Sequence, residues 1–291
     1  MITSAVLAAA AGEFQVMGIV NVTPDSFSDG GLYLDRTAAV EHGLALERAG
    51  ATLLDVGGES TRPGASAVAE DEELRRVIPV IEGLRTRGSA AQLSIDTSKA
   101  SVARAALTAG ATLVNDVTAL RGDPEMAGVI ADADADCCLM HMLGEPRTMQ
   151  RDPRYSDVVS EVKAFLEARL NVAVAAGVAE ERILLDPGIG FGKTTEHNLA
   201  LLRRLTEIVA LGRPVVIGTS RKSFLGKITA RPVEDRIAAT IATNVVAYER
   251  GARVFRVHDV GPVHDALAIT AATVGRPWER TTPTSSTMST T

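Results

Sequence analysis

The sequence predicts one α/β domain, a (β/α)8 barrel with its active site at the C-terminal mouth of the strands. Three observations lead there. Eight short apolar runs alternate with segments of helical periodicity. No break in composition and no Pro/Gly/Ser linker divides them. Each apolar run ends in a polar loop of different chemistry, as expected where βα loops gather at a barrel mouth. An open doubly wound sheet would also alternate, but the Gly-x-Gly-x-x-Gly turn usual after its first strand is missing. The expected division is an N-terminal extension over 1–15, the barrel over 16–276 and a disordered tail over 277–291.

The first strand, 16–20, is apolar and rich in β-branched residues, and runs into the loop NVTPDSFSDGG. Residues 37–50 have helical spacing and end on a glycine. The second strand, 51–56, leads into GGESTRPGAS, followed by a helix over 71–87 with Val77, Ile78, Val80, Ile81 and Leu84 as its inner stripe. The third strand, 93–95, ends in SIDTSK, and the fourth, 111–114, in NDVT, with a helix over 100–109 between them. A helix over 124–135 precedes the fifth strand, 137–142, which leads into GEPRTMQ. Residues 156–177 form the longest helical pattern. The sixth strand, 183–185, ends in DPGIGFGK, the seventh, 214–217, in GTSRKS and the eighth, 252–257, in HDV, with helices over 197–211, 233–250 and 263–271.

The formal charge of −6 supplies no overall basic field, so no nucleic-acid partner is expected. The apolar run 6–11 is too short to span a membrane and has no basic residue ahead of it, which makes it a poor signal peptide. A cytoplasmic protein with no membrane partner is the expectation. Cys137 and Cys138, adjacent in an apolar run, read as buried free thiols rather than a disulfide or zinc site.

Residues just past the strands converge in a barrel: Asn21; Ser60, Thr61 and Arg62; Asp96; Asn115 and Asp116; His141; Asp186; Ser220, Arg221 and Lys222; Arg256, His258 and Asp259. Polar groups at the ends of apolar strands are costly to bury unless paired or ligand-bound. Asp96, Asn115, Asp186 and Lys222 suit a flat heterocycle rich in N–H donors and ring acceptors, although an Asp–Lys pair tying strands together would use some of the same residues. Asn21, Arg62, Arg256 and His258 are cationic or donor-rich and suit an oxyanion; the alternative is that the arginines and histidine cap helices. Gly188, Gly190 and Gly192 permit close backbone approach to a ligand. His141, on an apolar strand, reads as a satisfied interior histidine. No cluster has the spacing of a tight metal cage, so any metal would be Mg2+ shared with substrate phosphates.

In this order, NVTPDSFSDGG, DVGGESTRPGA, SIDTSK, NDV, LMHMLGEPRTMQ, DPGIGFGK, SRKSFLG and RVHDV closely resemble the motifs of the dihydropteroate synthase family, from about residue 16 to 260. The resemblance implies condensation of 4-aminobenzoate with the diphosphate ester of 6-hydroxymethyl-7,8-dihydropterin, giving 7,8-dihydropteroate and diphosphate in folate synthesis. It implies a pterin site of Asp96, Asn115, Asp186, Lys222 and Arg256. A 4-aminobenzoate pocket, where sulfonamides compete, would comprise Phe27, Thr61, Pro63 and Ser223. The diphosphate would meet Asn21, Thr61, Arg62, Arg256 and His258, with Asn21 beside a Mg2+ cofactor. Catalytic roles fall to Asp29, Arg62 and Lys222, through a pterin cation formed on loss of diphosphate, and a homodimer is implied. Ala239 stands where the family often has glycine. A non-catalytic pterin-binding paralogue and a methyltetrahydrofolate:corrinoid methyltransferase are the rival readings.

Overall fold

The computed structural model of the chain describes residues 4–22, 31–60 and 67–274, with residues 31–35 described by backbone alone. Its strands are β1 (Gln15–Asn21), β2 (Leu53–Gly57), β3 (Gln92–Asp96), β4 (Leu113–Asp116), β5 (Asp136–Met140), β6 (Ile183–Asp186), β7 (Val216–Ile217) and β8 (Val254–Val257). All neighbours are parallel, in the order β6-β5-β4-β3-β2-β1-β8-β7. A parallel bridge between Leu185 and Val215, with the Leu185 N–H donating to Pro214 at 3.1 Å, joins the two end strands and closes the barrel. Closure leaves no exposed strand edge.

The helices are α1 (Ala5–Ala10), α2 (Gly31–Arg48), α3 (Glu70–Thr86), α4 (Ala100–Thr108), α5 (Met126–Asp132), α6 (Val158–Ala175), α7 (Thr195–Arg203), α8 (Leu205–Val209), α9 (Ser223–Thr229), α10 (Ile237–Glu249) and α11 (Val260–Thr273). The expected helix over 197–211 is divided in two, because Arg204 leaves helical geometry at φ −106° and ψ 24°. Its guanidinium reaches Asp157 at 2.6 Å and Glu207 at 2.7 Å. The run SFLGKIT after Lys222 forms α9, where the sequence predicts no element, and α9 stops at Ala230 in the left-handed region. No described helix is long and apolar enough to cross a membrane.

Side-chain alternation sends each strand's residues to two destinations. Outward residues such as Val20, Leu54, Ile95, Leu139 and Phe255 join the layer packed against the helices. Inward residues Met17, Leu53, Leu113, Cys138, Leu184, Val216 and Val254 fill the middle of the barrel together with Val6 and Ala9 of α1. The adjacent thiols therefore face opposite ways, Cys137 outward and Cys138 inward, both buried and free.

Helix α1 closes the N-terminal end. The Ser4 hydroxyl donates to Asp136 at 2.9 Å, and the Ala5 N–H donates to the Gln92 side-chain oxygen at 2.8 Å. The Gln92 amide also donates to Asp136 at 2.6 Å, and Arg182 adds a contact at 3.2 Å. Asp136 is thus a buried carboxylate with three donors around it. Asp136→Ala leaves those donors without their acceptor, and a loss of about 3 kcal/mol is expected. Urea unfolding should show it as a lower midpoint at unchanged slope.

Candidate active site

The inward positions that are apolar in the middle of the barrel turn polar one step nearer the mouth. Two residues beyond Leu53 comes Asp55; beyond Leu113, Asn115; beyond Leu184, Asp186; beyond Val254, Arg256. Strand register then sets Asp55 beside Ser94 and Asp96 beside Asn115.

Asp55, Ser94, Asp96, Asn115 and Arg256 form one hydrogen-bonded group. Asp55 accepts from the Ser94 hydroxyl at 2.5 Å, from the Asn115 amide at 3.0 Å and from Arg256 Nε at 2.6 Å. Arg256 Nη2 reaches Asp96 at 2.7 Å. Burial alone would lower the Arg256 guanidinium, but Asp55 and Asp96 outweigh it and hold the group above its ordinary value. Burial pushes the Asp96 carboxyl up to about 7, with Arg256 working against it and Asp55 adding to it. Asp186 is also raised by burial, opposed by Lys222 and by the Gly188 N–H that donates to it at 2.7 Å. Lys222 is drawn down by burial to about 8, with Asp186 opposing.

The loop after β6 supports Lys222. Its amine donates to the Ile189 carbonyl and lies 4.6 Å from the centre of the Phe191 ring. Gly190, at φ 84°, leaves the space its stem needs, since a Cβ there would lie 2.9 Å from Lys222 Cδ. Gly188, at φ 66°, is tighter still, because a Cβ would fall 1.9 Å from the His141 carbonyl oxygen.

Asp96, Asn115, Asp186, Lys222 and Arg256 are therefore brought together at the mouth. Arg256 engages Asp55 through Nε and Asp96 through Nη2. His258 stands apart, its Nδ1 3.0 Å from the Ser220 hydroxyl, which also accepts from the His258 N–H at 3.1 Å. Arg221 pairs with Asp259 through two bonds of 2.9 and 2.5 Å, linking the loops after β7 and β8. Asn21 ends β1 at the rim, half-buried, and Ser223 opens α9, exposed. Phe27, Asp29, Thr61, Arg62 and Pro63 lie outside the described residues.

Sequence reasoning missed Asp55, which sits inside the apolar run ATLLDV; its signal is its inward position, two residues from both Leu53 and Gly57. It also missed Lys193, buried with its amine 2.9 Å from His141 Nδ1 and 3.0 Å from the Phe191 carbonyl. Burial, with Lys193 second, pulls His141 down to about 3, so the imidazole is neutral. It is an interior histidine with a partner, as expected. A third group, Lys99 with Glu59 and the buried Glu73, ties the root of the second βα loop to α3.

A model of the pterin binding enzyme family matches residues 17–258. The chain belongs to this family. Within it, the chain is 44% identical to the dihydropteroate synthase of Haemophilus influenzae over 259 residues, covering 89% of this chain and 94% of the relative. It is 48% identical to that of Mycobacterium leprae over 266 residues, covering 89% and 93%. Among solved structures, dihydropteroate synthase from Xanthomonas albilineans in complex with 7,8-dihydropteroate superposes with a TM-score of 0.82 at 47% identity, covering 91% of this chain and 95% of that one. The Yersinia pestis enzyme in a sulfonamide drug complex superposes with a TM-score of 0.85 at 45% identity, covering 90% and 95%.

The family's glycine loop yields a stability test. Gly188→Ala combines a left-handed backbone with a direct clash, and a loss above about 3 kcal/mol or failure to fold is expected. Gly212→Ala has similar backbone strain at φ 81° but nothing within 4 Å of its Cβ, and should lose only about 1 kcal/mol. Thermal melts of the two variants make the comparison.

Proposed function

We propose that the chain condenses (7,8-dihydropterin-6-yl)methyl diphosphate with 4-aminobenzoate, releasing diphosphate and forming 7,8-dihydropteroate. The observation that carries this reading is the interior group of Asp96, Asn115, Asp186, Lys222 and Arg256, on a barrel of this family. A reduced pterin presents N–H donors and ring acceptors around one flat edge, and this group offers two carboxylates, an amide and two cations in matching chemistry. Asp96 and Asp186 accept from ring N–H groups, and Lys222 and Arg256 donate to ring oxygen or nitrogen.

Among the described residues no group of three or more His, Cys, Asp and Glu could hold a metal ion. Asn21 at the rim offers an amide oxygen, which fits a Mg2+ that keeps most of its ligands from diphosphate and water. When bound, such an ion would supply positive charge to the leaving diphosphate. This chain's own part is electrostatic and exclusionary. Arg62 and His258 would stabilise the departing anion, Asp29 the pterin cation, and Phe27, Thr61, Pro63 and Ser223 would shape the 4-aminobenzoate pocket. Loss of diphosphate would come first, with the C–O bond breaking and its electron pair leaving on the diphosphate. The aryl amine would then attack the methylene carbon and lose its proton to the released diphosphate, and exclusion of water would keep that carbon for the amine. We also propose a homodimer, supported by the exposed Ile269 on α11 and Val274 just beyond it.

Diphosphate release by the purified protein, with dihydropterin diphosphate and Mg2+, tests the function. Release accelerated by 4-aminobenzoate, with dihydropteroate as product, is expected. Tight pterin binding with no release under either condition would make the chain a non-catalytic paralogue. Lys222→Met should lower kcat/KM for the pterin substrate by about a hundredfold.

The Asp96 carboxyl also predicts a pH dependence. Its acceptor form is lost on protonation, so affinity for 6-hydroxymethylpterin should fall as pH drops through about 7. Asp96→Asn, which cannot titrate, should bind weakly at every pH and show no such slope by calorimetry.

A further inference from the structure

We propose that Lys193 is a positioning residue that fixes the pterin-facing pose of Lys222 by clamping the loop after β6 onto the end of β5. The proposal rests on the reading of this mouth as a pterin site. Lys193 lies on the loop, yet its side chain is buried. It donates to the Phe191 carbonyl of its own loop at 3.0 Å and meets His141 Nδ1 across on β5's exit at 2.9 Å, with the His141 carbonyl 3.5 Å away. One amine thus holds the two segments whose separation sets where the loop lies.

What the clamp holds is the platform under Lys222. The Ile189 carbonyl accepts from Lys222, and the Phe191 ring lies beneath the same ammonium. Phe191 supplies its carbonyl to one lysine and its ring to the other. Moving its backbone therefore moves the Lys222 support directly. His141 completes the clamp. Its carbonyl blocks any side chain at Gly188, and its N–H donates to the Asp186 carbonyl at 2.9 Å, so the imidazole end and the backbone end of the same residue both face the loop. As an acceptor toward Lys193, Nδ1 carries no proton, which places the ring proton on Nε2.

A double-mutant cycle read by calorimetry with 6-hydroxymethylpterin separates this role from a merely structural one. The wild-type protein must bind the probe first, and no binding would remove the pterin reading together with this inference. Lys193→Met is expected to weaken binding about tenfold while the KM for 4-aminobenzoate stays within about twofold. In a Lys222→Met background, the same Lys193→Met change should weaken binding by less than about twofold, because the pose it controls is gone. A full tenfold loss in both backgrounds would overturn the proposal, as would unchanged affinity in the wild-type background. Should Lys193→Met not fold, Lys193→Gln, which keeps an N–H2 donor without charge, carries the same comparison. Nitrogen NMR of the wild-type imidazoles adds a check that needs no variant. His141 Nδ1 should read as an unprotonated, hydrogen-bonded acceptor, and a protonated Nδ1 would overturn the clamp.

Discussion

Arg256 engages two interior carboxylates at once, Asp55 at 2.6 Å and Asp96 at 2.7 Å, and the organisation of the mouth depends on that double pairing. Asp55 is fully buried, at 0% exposure, and an unpaired carboxylate there would be unsustainable. The guanidinium makes it tolerable, with Ser94 and Asn115 adding two further donors. Removing one member leaves the others as buried charges without compensation, which typically costs 3–5 kcal/mol, roughly. The group is therefore interdependent, and it requires strand register to be right across β2, β3, β4 and β8 together. The same desolvation that makes the pairing necessary also brings Asp96 up to about 7 and Lys222 down to about 8, so charges of both signs titrate close to neutrality at one site.

The barrel separates this group from the structural polar network at its other end. Between them lies an apolar layer of Met17, Leu53, Leu113, Cys138, Leu184, Val216 and Val254. Below it, Gln92, Asp136, Ser4 and Arg182 bond one another and bring α1 under the strands. Both networks satisfy their polar atoms, but only the upper one faces the loops that follow the strands. That division matches the general arrangement in which one face of such a barrel carries stability and the other chemistry.

The strands were legible because parallel strands buried on both faces are continuous apolar runs, and all eight appear where the runs predict them. Helices were less so. SFLGKIT is only two turns, follows a polar loop directly and has no helical repeat to distinguish it, so α9 was invisible; the break at Arg204 comes from side-chain pairing to Asp157, 47 residues away. In the site, Asp96, Asn115 and Asp186 could be read because each stands at the end of an apolar strand, and Lys222 because it lies in the polar loop that follows one. Asp55 could not be read the same way, since it interrupts a strand rather than ending one, and its partners come from three other strands. Lys193 was legible as part of a motif but not as a clamp. Its partner His141 is 52 residues away, and only the closed barrel brings the two together.

The loop after β6 shows why that distance matters. Two of its carbonyls have partners within the loop itself: Gly188 accepts from the Phe191 N–H at 3.0 Å and Phe191 from Lys193 at 3.0 Å. The others are taken up from outside: Ile189 by Lys222, Gly190 by Gln150 and Gly192 by Tyr155 at 2.8 Å. Every buried carbonyl must find a donor, and here the donors arrive from several directions. A backbone that turns successive carbonyls to different sides needs left-handed positions, which Gly188, Gly190 and Gly192 provide at φ 66°, 84° and 61°. The glycines permit the shape, but they do not select it, because a glycine-rich segment alone has many conformations. Selection comes from the side chains that claim these carbonyls, among them the buried Lys193 and the half-buried Lys222. The shape of this side of the mouth thus depends on Gln150, Tyr155 and Lys193 as well as on Lys222.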